Sequence, residues 1–195
     1  MVVRRNRHGG LFAAVTGDRF LPPTRAPREL EISDRLRALG VPTPEVVMFG
    51  LAPAFFPFVR ADVVTRDLGQ GHDLGALMMP EASPERRRAA WKAAGALVEQ
   101  LARAGARHHD LNVKNIYITR SDAGVSAHLL DVDRVTFGTP GDARIHRANV
   151  ARLQRSARKW RDTRGAVLDE HDLPDADESR DPRHADSQPA SPVST

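Results

Sequence analysis

The chain has 195 residues, no cysteine, 41% hydrophobic and 28% charged residues, and a formal net charge of +4. This balance specifies a globular core with a solvated surface, and the lack of cysteine excludes disulfides, thiolate metal centres and a cysteine nucleophile. No run approaches the roughly 18 apolar residues of a membrane span, and the basic start Met1 to Arg7 lacks the apolar stretch of a signal peptide, so a cytoplasmic protein is expected.

The charge is unevenly spread. Residues 165–195 hold eight acids and two arginines, leaving 27 bases and 17 acids in residues 1–164. From Gly165 onward there is no aromatic residue and much Asp, Ser and Pro, which predicts a disordered acidic tail over 165–195 behind a domain spanning 1–164. A basic body points to an anionic partner, although a composition biased towards arginine explains the excess equally well. Nothing beyond charge favours nucleic acid: there is no basic stripe interleaved with aromatics and no zinc finger.

In chain order, Leu11 to Val15 reads as a strand after Gly9-Gly10. Arg28 to Leu39 carries Leu30, Ile32, Leu36 and Leu39 at near-helical spacing, with Gly40 as its stop. Pro42 and Pro44 force an extended segment into a strand at Val46 to Phe49. A further strand is expected within Phe55 to Val64, where Pro57 would interrupt its ladder. The clearest helix starts at Ser83 as N-cap, with Pro84 at its first position and Glu85 in its first turn; Trp91, Ala94, Val98 and Leu101 form one face and Gly105 ends it. Asn115 to Thr119, a turn at Asp122-Ala123-Gly124, and Val125 to Leu130 make a β-hairpin. A last helix covers about Ile145 to Trp160.

Two polar segments flank that hairpin. His108-His109-Asp110-Leu111-Asn112-Val113-Lys114-Asn115 matches the kinase catalytic-loop pattern H-x-D-L-x-x-x-N, with His109 where arginine is usual, and Asp131 follows where a metal-binding aspartate would stand. Phosphoryl transfer needs an oriented acceptor hydroxyl and divalent ions to neutralise phosphate charge. Asp110 can take the hydroxyl proton. Asn115 and Asp131, brought together by the hairpin, can offer an all-oxygen site suited to Mg²⁺. Turn and cap roles are the alternative for an isolated Asp or Asn, and His108 is expected to hold the loop. A zinc site is not supported, because adjacent residues rarely converge on one ion and no paired-histidine motif is present.

Arg107 to Ile116, followed by Leu130-Asp131-Val132-Asp133-Arg134, resembles the 3-deoxy-D-manno-octulosonic acid (Kdo) kinases, which belong with the lipopolysaccharide core heptose kinases. Arg7-His8-Gly9-Gly10-Leu11, Arg28-Glu29-Leu30, Gly40 to Pro44 and Asn149 to Ser156 are also similar to segments of that family, so the likeness runs over most of residues 1–160.

The resemblance implies an α+β, protein-kinase-like two-lobed fold with a truncated N-terminal lobe (1–65) and a small helical C-terminal lobe (66–164). It implies ATP and Mg²⁺ as cofactors, Asp110 as catalytic base, and Asn115 and Asp131 as metal ligands. Glu29 would pair with the cation that grips phosphate. No lysine precedes Lys92, so Arg4 is expected in that role.

Family members have two further strands and a covering loop ahead of this point, so an incomplete N-terminus is expected. The implied acceptor is the Kdo residue of a lipid A precursor at the cytoplasmic face of the inner membrane. The alternatives are another acceptor (core heptose or protein) and a truncated, non-catalytic pseudokinase. The lack of an A-P-E signature after Asp133 argues against protein acceptors. Arg147, Arg152, Arg155, Arg158 and Lys159 on the last helix offer a contact surface for anionic lipid.

Overall fold

The computed structural model describes residues 2–5, 19–20, 26–53, 59–122 and 124–175. The strand expected at Leu11 to Val15 lies outside them, as do residues 176–195.

The first lobe is a sheet built on one central strand. Strand β4 (Val59–Thr65) pairs antiparallel with β3 (Val46–Pro53) on one side and with β1 (Val2–Arg5) and β2 (Arg19–Phe20) on the other. Helix α1 (Ala26–Ala38) packs against it and begins two residues ahead of the predicted start, since Pro27 is tolerated in a first turn where no N–H is needed. Gly40, at φ +77, ends it, and the Val41 N–H returns to the Leu36 carbonyl at 2.9 Å. The Pro42–Pro44 segment then ties this lobe to the second. The Leu129 N–H donates to the Pro42 carbonyl and the Thr43 hydroxyl to the Leu129 carbonyl, both at 2.8 Å.

Among the described residues, the second lobe holds most of the core. Helix α3 (Pro84–Arg103) follows the short β5 (Gly71–Asp73) and α2 (Leu74–Leu77). Ser83 caps α3, accepting from the Arg86 N–H. Its predicted stripe is buried: Trp91, Ala94, Val98 and Leu101 are all 2% exposed or less, each large side chain contributing about 1.5–3 kcal/mol of burial. Gly105, at φ +64, turns the chain into β6 (Ala106–His108); a Cβ there would lie 2.5 Å from the Gly138 carbonyl oxygen, so only glycine fits. β6 pairs with β9 (Val135–Phe137). Between them, β7 (Ile116–Ser121) and β8 (Gly124–Leu129) form the predicted hairpin, with Ile116 opposite Leu129. Helix α4 (Ala143–Arg164) is capped by Asp142 and stopped by Gly165 at φ +68, so it runs four residues past the predicted end at Trp160.

The expected tail boundary needs correction. Residues 165–175 are docked on the body: Ala166 is buried, the Val167 N–H donates to the Met78 carbonyl at 2.7 Å, and Leu168 and Leu173 pack against the core. A few well-spaced apolar residues suffice to anchor a segment that is polar on average.

Candidate active site

The loop from His109 to Asn115 leaves β6 and enters β7, and its shape is set by its own polar side chains. The ring of His108, 1% exposed, accepts the Asp110 N–H through Nδ1 at 3.1 Å. Burial pushes its pKa below the usual histidine value, while the nearby Leu130 and Asp131 backbone and the Asp110 and Asp131 carboxylates oppose the shift. The Asn112 and Asn115 amide nitrogens both donate to the Asp110 carbonyl, at 3.1 and 3.0 Å. The Asn115 nitrogen is thereby used within the loop, so its oxygen is the side-chain atom that could ligate a cation.

The hairpin brings the second polar segment back. The Leu130 N–H donates to the Asn115 backbone carbonyl at 2.7 Å, extending the β7–β8 ladder by one bond and setting Asp131 beside the loop. Asp131 has φ 59 and ψ 52, and is the one non-glycine residue with positive φ among the described residues. A left-handed aspartate costs on the order of 1 kcal/mol and is tolerated where the surroundings impose it, as they often do at functional sites. An amide oxygen and a carboxylate fit Mg²⁺, which takes hard oxygen ligands and completes its shell with phosphate and water. No group of three or more His, Cys, Asp or Glu side chains that could hold a metal ion occurs among the described residues.

A cleft of about 290 Å³ opens between the lobes. Glu29 and Asp131 both line it, with Val46, Leu68 and Val132 among its apolar walls and residues 65–68, the connection between lobes, along one edge. Glu29 is 6% exposed in the first turn of α1. The backbone N–H and C=O of Leu68 take part in no hydrogen bond among the described residues. Arg4 stands on β1 opposite Val63 of the central strand.

A family model described as the lipopolysaccharide kinase (Kdo/WaaP) family matches residues 2–178. The chain belongs to this family. A 3-deoxy-D-manno-octulosonic acid kinase of Xanthomonas campestris pv. campestris is 33% identical over 172 residues, covering 84% of this chain and 64% of that protein. The enzyme of the same description from Actinobacillus succinogenes is 29% identical over 158 residues, 79% of this chain and 64% of that one. The chain thus spans somewhat under two thirds of these relatives' length. Among solved structures, that of WaaP in complex with acyl carrier protein aligns with a TM-score of 0.55 at 22% identity, over 75% of this chain and 62% of that one, a likeness of the protein-kinase-like fold.

Within this Kdo/WaaP fold, α4 clamps the loop, which the sequence reading did not assign. Asn149, fully buried, accepts the His108 N–H at 3.0 Å and donates to the Ala106 carbonyl at 2.9 Å. One turn on, Arg152 pairs with the Asp110 carboxylate, and the Ser156 hydroxyl accepts the Val113 N–H at 3.2 Å. Positions 149, 152 and 156 lie on one helix face. The signal was available in the segment Asn149 to Ser156, which resembles a family motif although no role had been attached to it. Of the basic residues on this helix, Arg152 engages Asp110 and Arg158 engages Glu170. No helix among the described residues is long and apolar enough to cross a membrane.

Proposed function

We propose that this chain transfers the γ-phosphoryl group of ATP to a hydroxyl of the Kdo sugar of a lipid A precursor. The observation that carries the reading is the joining of Asp110, Asn115 and Asp131: the Asn115 side chain bonds the Asp110 carbonyl, and its backbone bonds the residue before Asp131. Asp110 accepts the proton of the attacking hydroxyl as the new oxygen–phosphorus bond forms and the bond to ADP breaks. Arg152 orients that carboxylate, and His108 fixes the backbone beneath it.

Asn115 and Asp131 would hold Mg²⁺, whose charge offsets that of the phosphates when bound. Glu29, in the cleft, would pair with Arg4 as the phosphate-gripping cation, and the unengaged Leu68 backbone would bond the edge of the adenine. Because the acceptor is lipid-linked, the reaction belongs at the cytoplasmic face of the inner membrane.

The test is transfer of labelled γ-phosphate from ATP to a Kdo-bearing lipid A precursor. Label in the lipid fraction with the wild-type chain, and none with a folded Asp110→Asn variant, supports the reading. Equal label from both refutes the assigned base, and label only with a heptose-bearing core acceptor refutes the assigned sugar.

A further inference from the structure

A second concavity, about 670 Å³, runs from the catalytic loop along the distal half of α4. Its lining includes five basic residues, Lys114, Arg152, Arg155, Lys159 and Arg164, and no acidic one. Arg152 is engaged by Asp110 at the end nearest the proposed base. Lys114, Arg155 and Lys159 form no ion pair among the described residues. The nearby acids Glu170 and Asp162 pair with Arg158 and Arg161 instead. Like charges gathered in one concavity repel each other, and an anion placed among them relieves that repulsion.

Trp160 lies within this groove. Gly75 leaves room for its ring, since a Cβ there would come within 2.6 Å of it, and the Arg164 guanidinium and Lys114 ammonium stand 4.5 and 5.8 Å from its centroid. Cations standing over the Trp160 ring are held in the groove, where they can meet the anionic groups of a sugar.

We infer that this groove is the acceptor subsite, where Lys114, Arg155 and Lys159 hold a carboxylate or phosphate of an anionic sugar head group so that its hydroxyl reaches Asp110. The inference rests on the kinase reading of the loop and adds the acceptor's binding surface to it.

Binding to the full chain is read without turnover, through fluorescence. Trp91 is 2% exposed in the core, so an anion-dependent change reports Trp160. The probes are free Kdo, which carries a carboxylate, inorganic phosphate, and phosphatidylglycerol vesicles. A saturable change with free Kdo or with phosphate is expected; whichever binds more tightly names the anchoring group. Arg155→Glu with Lys159→Glu should weaken it at least tenfold, roughly one charged hydrogen bond or more, and Arg155→Gln with Lys159→Gln should weaken it less. Nucleotide titration on the same samples should show MgATP binding within twofold of wild type. Undiminished anion binding in both double variants, or a response to vesicles alone, overturns the subsite. If the groove binds Kdo but ATP is not turned over, the subsite stands and the kinase reading falls.

Discussion

Replacing Asp131 by glycine or by alanine removes the same carboxylate but leaves different backbones. At φ 59 and ψ 52 a residue with a Cβ crowds the following carbonyl, at a cost of roughly 1–2 kcal/mol, whereas glycine occupies this region freely. Glycine gives back about 0.5–1 kcal/mol through the larger entropy it loses on folding. The net expectation is that Asp131→Gly is more stable than Asp131→Ala by about 0.5–1 kcal/mol, the reverse of the order found in regular helix. Whatever the carboxylate itself contributes to folding is lost in both variants and cancels. In a domain of this size about 1 kcal/mol moves the unfolding midpoint by roughly 2–4 °C, within reach of thermal circular dichroism. Both variants should lose Mg²⁺-dependent nucleotide binding, read by titrating Mg²⁺ against a fluorescent ATP analogue. An alanine variant as stable as the glycine one would refute the strain argument. Unchanged Mg²⁺ dependence in either variant would refute the ligand assignment.

Asp110→Asn should lower transfer by about 10²–10⁴-fold, measured by label incorporation. Its folding should be nearly unchanged, because the exposed pair with Arg152 contributes at most about 1 kcal/mol. Asn149→Ala leaves the buried His108 N–H and Ala106 carbonyl without partners and should cost about 2–4 kcal/mol; a thermal midpoint within a degree of wild type would contradict the clamp. Burial of His128 lowers its pKa from 6.5, so below that value the unfolded chain takes up a proton that the folded chain resists. Its contribution to stability is therefore full above about pH 6.5 and declines as the pH falls through that range. Denaturant midpoints should drop from pH 7.5 to 5.5, and His128→Gln should flatten that slope.

The parts of this protein that its sequence determined are those set by neighbours a few residues apart. The Ser83 cap, the Trp91–Leu101 stripe and the stop at Gly105 specify α3 through contacts within a turn or two. The alternation from Ile116 to Leu129 specifies the hairpin, and through it the approach of Asp131 to Asn115. The kinase-like fold was legible as well, through the resemblance of residues 107–116 and 130–134 to a known family.

Tertiary structure alone decided which partner each charge takes. Arg152 and Arg158 read alike as members of a basic face, but the first meets Asp110, 42 residues away, and the second Glu170. It also decided that residues 165–175 dock through Ala166, Leu168 and Leu173, and that Glu29 shares a cleft with Asp131. Helical periodicity marks which face of a helix is polar, whereas the carboxylate or ligand that meets it depends on how distant segments pack.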